Sequence, residues 1–366
     1  MKYKNIQLKD VADIVMGQSP KSVFYNTDGK GIPFLQGVRT FGENYPQIDT
    51  WTTSYNRKAK SGEILFSVRA PVGRVNWANQ DLAVGRGLAT LKIKSGYSKE
   101  YLYYLFKKIG SHLNSLATGT VFTSINKKEL EALELKIPVN LSDQEKIASY
   151  LQKIDQEIEL NNQINDNLFK LAKIHFDRQL DSENIKFSQI STIQNGYAFK
   201  SKEYVDTNEL MILRTKNIND NHLFSKNDVV YISKELFDEY KKFSFSAFDT
   251  VLVMVGASIG KTGFVTSNMT PSLQNQNMWR FRPKMSNIPG LLIFQYVNYI
   301  NKHVIGSATG SARSFYRKKL FSEFEVPRIN STNYIYFDTL QREIDHLNTE
   351  NEILYRIKHS LLNHYF

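Results

Sequence analysis

The chain of 366 residues contains no cysteine, which excludes disulfide bridges and metal sites built on thiolates. Proteins of the reducing cytoplasm rarely use disulfides, so we expect a cytoplasmic protein. Proline is scarce, with nine residues, and no apolar run approaches the ~20 residues that a membrane helix needs. The first ten residues, MKYKNIQLKD, lack the apolar segment of a secretory signal. The sequence therefore predicts neither a membrane protein nor a secreted one.

Recognisable catalytic motifs are missing as well. We find no glycine-rich methyltransferase loop, and the carboxylates are not clustered as a metal-dependent nuclease requires. The nearest match to a nucleotide-binding loop is GASIGKT at residues 256–262, but the GxxxxGK[ST] pattern needs a glycine at position 255, which is valine. The seven histidines are scattered. We therefore expect a non-catalytic chain with no metal site and no cofactor of its own.

What the chain does contain is one series of motifs written twice. GQSPK near residue 17 is matched by GYAFK near residue 196, and APVGRV at 70–75 by ASIGKT at 257–262. LATGTVFTSINKKEL at 116–130 is matched by SATGSARSFYRKKLF at 307–321, and LQKIDQEI at 151–158 by LQREIDHL at 340–347. A common order and a nearly constant offset of about half the chain indicate two copies of one domain, not a solenoid.

The net charge of +11 is distributed in the same twofold way. Residues 1–140 carry +9 and residues 182–331 carry +7, whereas the segments 141–181 and 332–366 carry −3 and −2. A basic domain surface is expected of a protein that binds a polyanion such as nucleic acid. A merely basic protein would also explain the total charge, but not its matched distribution.

Two segments have the pattern of long helices. Residues 142–178 contain no proline or glycine, and apolar residues recur there at alternating steps of four and three, as they do again near the end of the chain. Asn161, Asn165 and Asn351 fall on this seam, where a buried asparagine fixes register. An amphipathic helix packed on its own domain is the alternative to a helix pair. The predicted coiled-coil seam consists of Ile147, Leu151, Ile154, Ile158, Leu168, Leu340, Ile344, Leu347, Leu354 and Leu361.

The short linker after the first helix decides how the two helices pair. The second domain begins by Ile185, so the chain has too few residues to return along a helix of about 55 Å. The helices are therefore predicted to pair antiparallel. The predicted fold class is α+β, with two globular domains related by a pseudo-twofold axis at opposite ends of an antiparallel two-helix coiled coil. The boundaries are 1–140 for the first domain, 141–181 for the first helix, 182–331 for the second domain and 332–366 for the second helix.

Within the domains, matching segments predict matching elements. Residues 62–68 and 249–255 predict buried strands, 88–94 and 278–283 later strands, and 101–116 and 290–304 amphipathic helices. Residues 331–336 predict a connector into the last helix. Polar loops surround these elements, and arginine, asparagine and glutamine can read base edges while lysine and hydroxyl groups contact phosphates. The candidate DNA-binding residues are Gln18, Lys21, Arg39, Arg69, Arg74, Arg86, Thr118, Thr120, Lys127, Lys200, Lys202, Arg214, Lys216, Lys261, Gln274, Asn275, Gln276, Ser311 and Arg313.

Over nearly its whole length the chain resembles the DNA specificity (S) subunits of type I restriction-modification systems. The resemblance lies in the repeat of a recognition domain followed by a long helix. It also lies in local motifs: GQSP at Gly17, PVG around Gly73, ATGT at Ala117, IPV at Ile137 and DQEKIA at Asp143. These motifs identify the chain as a member of that family.

The resemblance implies that each domain is a target-recognition domain that reads one half of a bipartite DNA target. The helix pair sets the spacer and docks the modification (methyltransferase) subunits, which bind S-adenosylmethionine. A restriction (motor-nuclease) subunit, which uses ATP and Mg²⁺, completes the complex, and no membrane is involved. Two alternatives stay open from the residues alone. One is a coiled-coil scaffold joining two protein-binding modules, and the other is a P-loop-like ATPase around Lys261.

Overall fold

The computed structural model describes residues 1–115, 124–180, 183–206, 209–308 and 316–366, with the main chain alone at 111–115 and 306–308. Thr118, Thr120, Ser311 and Arg313 of the predicted DNA contacts lie outside the described residues. The chain divides into two compact units. Unit 1 contains Met1–Gln156 and Arg356–Phe366, and unit 2 contains Glu157–Tyr355. Among the described residues, no helix combines the length and apolar character needed to cross a bilayer.

Unit 1 mixes short helices with antiparallel and mixed sheets. Its strands are β1 Tyr3–Gln7, β2 Ala12–Met16, β3 Tyr25–Asn26, β4 Ile32–Leu35, β5 Trp51–Thr52, β6 Lys58–Ala59, β7 Ile64–Ser67, β8 Val75–Trp77, β9 Leu82–Val84, β10 Leu88–Ile93 and β11 Glu134–Pro138. Its helices are α1 Leu8–Val11, α2 Lys99–Ser115 and α3 Lys127–Glu131, followed by the long helix α4 Leu141–Asp177, whose residues after Gln156 belong to unit 2.

Unit 2 follows a similar order of elements, although a short helix, Phe237–Tyr240, lies between its strands Val230–Ile232 and Thr250–Val253 and has no counterpart at that place among the described residues of unit 1. Its strands are β12 Asn184–Lys186, β13 Ser191–Asn195, β14 Tyr204–Val205, β15 Leu210–Leu213, β16 Val230–Ile232, β17 Thr250–Val253, β18 Thr262–Phe264, β19 Ser272–Gln274, β20 Met278–Pro283 and β21 Glu325–Pro327. Its helices are α5 Phe237–Tyr240, α6 Gly290–Ala308 and α7 Lys318–Ser322, followed by the long helix α8 Tyr334–Tyr365, whose residues from Arg356 belong to unit 1.

The sheet topology carries the repeat that the motifs predict. Each unit has a four-stranded antiparallel sheet, ordered β2-β10-β7-β8 in unit 1 and β13-β20-β17-β18 in unit 2. Each also has a two-stranded sheet, β1-β11 and β12-β21. A further sheet contains a parallel pair in each unit, β4 with β9 and β15 with β19. The predicted strands are confirmed as β7, β10, β17 and β20, and each unit is of mixed helix and sheet content, as predicted.

The helix that covers each four-stranded sheet has the apolar face that the sequence predicts. In α2, Tyr101, Leu102, Leu105 and Phe106 are buried in the unit 1 core, with Phe106 edge-on to Phe66 of β7. Burying a side chain of this size stabilises the fold by about 1.5–3 kcal/mol. In α6, apolar residues on the corresponding face, from Leu291 onward, are buried in the same way. These aromatics belong to the core and are not available as base-stacking platforms.

A single glycine allows α2 to approach the β7–β8 turn. A Cβ atom at Gly110 would lie only 2.0 Å from the carbonyl oxygen of Gly73, so the backbones touch. Alanine in a helix interior normally stabilises by about 0.5–1 kcal/mol relative to glycine. Here we expect Gly110→Ala to reverse that sign and to lower the free energy of unfolding by about 1–3 kcal/mol or more, measured by urea unfolding. Gly37→Ala is the control, because its Cβ would meet no described atom within 4 Å and its φ of −173° is extended.

The two long helices are as long as predicted, with one difference at a start. Residues 331–336 were predicted to form a connector, but α8 already begins at Tyr334, because Ser331–Asn333 form one 3-10 turn that leads directly into it. The prediction is wrong for the last three of those residues. The 3-10 turn is capped by the side chain of Asn330, which accepts a hydrogen bond from the Thr332 N–H.

The predicted seam residues vary in burial. Ile147, Leu151, Ile158, Leu340, Ile344 and Leu347 are buried, whereas Ile154, Leu168, Leu354 and Leu361 are half-buried. In the last turns of α4 the buried stripe moves by one residue, to Phe169, Ala172 and Phe176. The step from Asn165 to Phe169 is four residues instead of three, so the heptad pattern breaks there and the aromatic side chains join the unit 2 core.

Polar contacts join the long helices inside unit 2. The Asn161 side-chain amide donates to Asn351 Oδ1 at 3.0 Å and to Glu350 Oε2 at 3.1 Å, and Asn351 donates to Asn162 Oδ1 at 3.2 Å. Nearer the end of α4, the His175 ring stacks on Tyr336 with centroids 4.0 Å apart. Buried amide pairs of this kind specify one alignment of two helices at some cost in stability.

Inside unit 1, a buried lysine in the last part of α8 contacts a carboxylate in the first half of α4. Lys358 is 6% exposed and its ammonium lies 2.5 Å from Asp155 Oδ1 and 3.2 Å from Glu43 Oε1. The hydroxyl of Tyr104 donates to Asp155 Oδ2 at 2.8 Å, and Lys107 lies 3.6 Å from Glu43. Burial by itself would lower the pKa of Lys358, but the two carboxylates outweigh it and the pKa is raised. The buried charge is therefore paired.

Candidate nucleic-acid interface

Three loops of unit 1 meet beside the carboxyl ends of the parallel strands β4 and β9. Main-chain hydrogen bonds hold these loops together. The N–H groups of Gly17 and Gln18 donate to the carbonyls of Leu88 and Val84, at 2.8 and 2.9 Å. The N–H of Gly85 donates to Leu35 at 2.8 Å. A Cβ on Gly17 would lie 2.2 Å from the Gly85 carbonyl oxygen, so only glycine fits this approach. We call residues 17–21, 36–40 and 85–87 the unit 1 loop cluster.

The equivalent loops of unit 2 are held by equivalent bonds. Tyr197 N–H donates to the Gln274 carbonyl at 3.1 Å, and Asn275 N–H donates to Leu213 at 3.2 Å. A Cβ on Gly196 would lie 1.9 Å from the Asn275 carbonyl oxygen. We call residues 196–200, 214–217 and 274–277 the unit 2 loop cluster. The repeat thus extends from the topology to individual hydrogen bonds in the loops.

The loop clusters bring together predicted DNA-binding residues that are far apart in sequence. In unit 1, Ser19 Oγ donates to Gln36 Oε1 at 2.8 Å and accepts from the Arg86 N–H at 3.1 Å. The loops that contain Gln18, Arg39 and Arg86 are thereby joined. Their side chains are exposed, as are those of the further predicted residues in these clusters: Lys21, Lys200, Lys216 and Gln276. Lys202 is exposed in the turn that follows Lys200.

Three predicted residues in the unit 2 loop cluster are less accessible than the sequence suggested. Gln274 is fully buried, and its amide group donates to the carbonyls of Gln194 at 3.1 Å and Met278 at 2.7 Å, which ties the loop to the sheet. Arg214 is half-buried, and its guanidinium donates to the Asp228 carbonyl. Asn275 is half-buried beside them. In this arrangement Gln274 positions the loop, and its exposed neighbour Gln276 faces solvent.

A second group of predicted residues lies at the β7–β8 turn of unit 1. Arg69 and Arg74 are exposed at this turn, which the Ser67 hydroxyl stabilises by donating to the Pro71 carbonyl at 2.6 Å. The main chain of Arg69 forms an isolated antiparallel β-bridge with Ser124, which leads into α3. Lys127 is exposed at the start of α3 and lies 3.5 Å from Glu131. The two arginines and the lysine are therefore on neighbouring segments.

The corresponding β17–β18 turn of unit 2 contains the GASIGKT sequence. It connects two antiparallel strands, whereas a phosphate-binding loop leads from a strand into the N-terminus of a helix. Lys261 is half-buried and lies 3.0 Å from Asp220 Oδ1. Among the described residues, no group of three or more His, Asp or Glu side chains is arranged to hold a metal ion. The segment around Lys261 therefore lacks the strand-to-helix connection that a P-loop requires.

Sequence reasoning missed the carboxylates that orient two of the predicted cations. Asp49 accepts from both terminal nitrogens of Arg39, at 2.7 and 2.9 Å, and Asp228 lies 3.4 Å from Lys216. The hydrogen bond to Asp49 raises the pKa of Arg39, and the Arg39 guanidinium lowers the pKa of Asp49. No local sequence signal marks these pairs, because their partners are 10 and 12 residues apart in loops.

Comparisons with known proteins agree with the repeat. The family model described as type I restriction modification DNA specificity domain matches twice, at residues 1–169 and 179–356. The chain is 40% identical over 161 residues to the putative type I restriction enzyme MjaX specificity subunit of Methanocaldococcus jannaschii, covering 44% of this chain and 38% of that protein. It is 28% identical over 177 residues to the MjaIX specificity subunit of the same organism, covering 45% and 41%. The matched segments span about two fifths of these relatives.

A solved structure extends the comparison to the whole fold. The crystal structure of the S subunit of a type I restriction-modification system from M. genitalium superposes with a TM-score of 0.57, covering 100% of this chain and 96% of that one. The sequences are 17% identical in this alignment. At such identity the likeness concerns the fold alone.

Proposed function

Because the chain belongs to the family of type I restriction modification DNA specificity domains, of which it contains two copies, we propose that it is the sequence-specific DNA-recognition subunit of a type I restriction-modification complex. The observation that carries the proposal is the pair of equivalent loop clusters. Each unit holds its loops by equivalent main-chain bonds and exposes lysine and amide side chains from them, and unit 1 also exposes the arginines Arg39 and Arg86. In this reading each unit is a target-recognition domain for one half of a bipartite site.

The domain boundaries, and the role of the helix pair in setting the spacer between the half-sites, are part of the same proposal. Residues 1–140 and 182–331 are the recognition domains, and 141–181 and 332–366 form an antiparallel helix pair that sets the spacer. Contacts inside each unit support this direction of pairing. In unit 2, Asn161 contacts Asn351 and His175 contacts Tyr336, so later residues of α4 meet earlier residues of α8. In unit 1, Asp155 contacts Lys358.

The proposed chain is non-catalytic, and its partners supply the chemistry. Modification subunits dock on the helix pair and bind S-adenosylmethionine, and a restriction subunit uses ATP and Mg²⁺. A scaffold that joins two protein-binding modules would use the same helices but would not bind duplex DNA. Its discriminating observation is the absence of DNA binding at low salt by the chain assembled with its modification subunit.

Binding to DNA should depend steeply on salt. Proteins that neutralise ~6–10 phosphates lose roughly 10³–10⁵ in affinity between 50 and 200 mM salt. We expect a slope of this order for the chain with its modification subunit, measured by gel shift on genomic fragments. Lys127→Gln should weaken binding to all sequences alike and reduce the slope by about 1.

The matched control is Lys173→Gln on α4. Lys173 is exposed and paired with Asp177 within the acidic segment, so its loss should leave the slope unchanged. Equal effects of the two substitutions would contradict a phosphate contact at Lys127. Salt-independent binding, or none to duplex at 50 mM salt, would contradict the proposed function itself.

A further inference from the structure

Arg39 is held in a geometry that leaves one edge of its guanidinium available. Nη1 lies 2.7 Å from Asp49 Oδ2 and Nη2 donates to Asp49 Oδ1 at 2.9 Å. This end-on fork uses one N–H of each terminal nitrogen. The edge formed by Nε–H and the outer N–H of the adjacent terminal nitrogen faces elsewhere, and it has no hydrogen-bond partner among the described residues. Two parallel N–H groups on that edge match the O6 and N7 acceptors of guanine.

The loop that contains Asp49 is itself fixed. Thr50 Oγ1 donates to Asp49 Oδ1 at 2.9 Å, and the Thr50 carbonyl accepts from the Phe34 N–H of β4 at 2.9 Å. The Gln47 N–H donates to the Thr40 carbonyl at 2.8 Å, next to Arg39 in the same 3-10 turn. The carboxylate is therefore attached to the strand and turn that precede and contain the arginine. It limits the orientations of a side chain that is 74% exposed.

The same pairing recurs in the other copy of the domain. Arg39 is the middle residue of the 3-10 turn Val38–Thr40 after β4, and Lys216 is the middle residue of the turn Thr215–Asn217 after β15. Each is paired with an aspartate from a later loop, Asp49 or Asp228. Exposed ion pairs stabilise proteins by only ~0–1 kcal/mol, so stability gives little reason for a pair at this one place in both units.

We infer that Asp49 is a positioning residue for Arg39, and that Arg39 so held reads a guanine in the first half of the target. The inference rests on the proposed function. It goes further by assigning a base to one side chain and a role to an acidic residue on a basic surface. Asp228 and Lys216 are the corresponding pair for the second half.

The experiment uses the full chain assembled with its modification subunit. Methylome sequencing of cells carrying the system gives the wild-type motif, and competition gel shifts then measure affinity for duplexes changed at each position. Arg39→Ala should lower discrimination at one guanine by about 5- to 150-fold, the range of a bidentate contact. Arg39→Lys keeps the charge but not the fork, so it should lose the same discrimination while keeping affinity for unrelated DNA.

Asp49→Asn gives a readout that a merely structural residue would not. Discrimination at the same guanine should fall roughly 3- to 10-fold, because an amide holds the guanidinium less firmly than a carboxylate. Affinity for unrelated DNA should rise about twofold at low salt, because a negative charge has been removed next to the phosphates. Asp81→Asn is the matched control, since Asp81 is similarly exposed and paired with Lys58 in the same unit, and it should change neither.

The possible results distinguish base reading by Arg39, positioning by Asp49 and the proposed function itself. If Arg39→Ala leaves every motif position unchanged, or weakens all duplexes equally, Arg39 does not read a base. If Arg39→Ala relaxes a position that is not a guanine, the assignment of the base is wrong. If Arg39→Ala relaxes a guanine but Asp49→Asn does not, Asp49 has no positioning role and the proposed function stands. A wild-type complex that binds no duplex overturns the proposed function and this inference together, and circular dichroism of Arg39→Lys and Asp49→Asn separates misfolding from lost reading.

Discussion

Replacing Lys358 with alanine is expected to lower the free energy of unfolding of unit 1 by about 3–5 kcal/mol. The substitution leaves the carboxylate of Asp155, only 11% exposed, without its closest cation. It also opens a cavity where the lysine stem was packed. Urea unfolding followed by circular dichroism measures the change. Lys173→Ala, which removes a cation from an exposed pair on α4, the helix that also contains Asp155, should cost no more than ~1 kcal/mol.

The loss should be recovered when the whole buried group is removed. In the triple variant Lys358→Met, Asp155→Leu, Tyr104→Phe, no buried donor or acceptor of this group is left without its partner, and Glu43 keeps Lys107. Replacing a complete buried ion pair by apolar residues is often neutral or stabilising. We expect stability within about 1–2 kcal/mol of the wild type. A triple variant as unstable as Lys358→Ala would show that shape, and not charge pairing, dominates at this position.

Deleting one heptad from each long helix is expected to move the two half-sites of the DNA target closer together without changing either. The segments 157–163 and 349–355 contain both members of the Asn161–Asn351 pair, so their joint removal leaves neither amide alone and preserves the heptad phase. Seven residues of helix rise about 10.5 Å, or about three base pairs at ~3.4 Å each. Methylome sequencing reads both the half-sites and the gap.

The control deletes residues 157–163 alone. It removes Asn161 but leaves Asn351, and it shifts one helix against the other, so both halves of the motif should be lost together with stability. A paired deletion that retains the wild-type gap between the half-sites would refute the proposal that the helix pair sets the spacer. A paired deletion that changes the half-sites would instead indicate that the recognition domains depend on this segment for their own fold.

Much of the architecture could be predicted because it depends on periodic patterns. Alternation and apolar runs marked β7, β10, β17 and β20, and heptads marked both long helices to within a few residues. The family was predictable from short motifs such as GQSP at Gly17, whose glycine is required because a Cβ there would clash with the Gly85 carbonyl oxygen. Close backbone approaches of this kind need glycine, so they leave a readable trace in sequence.

The remainder depended on contacts that leave no local trace. Lys358 occupies a heptad position between Leu354 and Leu361, and a charge there looks like an interruption until Asp155 and Glu43 are seen beside it. Gln274 was predicted to face DNA because the sequence around it is polar, yet its amide satisfies two main-chain carbonyls inside the domain. The orientation of a polar side chain in a loop is set by partners distant in sequence, which periodicity does not report.

In both loop clusters, main-chain atoms make bonds that hold the loops together: Gln18 with Val84 in one copy and Tyr197 with Gln274 in the other. Folding therefore places few demands on the side chains at the tips, such as Arg86 in the first copy and Gln276 in the second. Such a scaffold tolerates substitution of its exposed side chains while the main-chain conformation of the loops stays the same. If the proposed function holds, substitutions at the tips of one unit would change its half of the target and leave the other half unchanged.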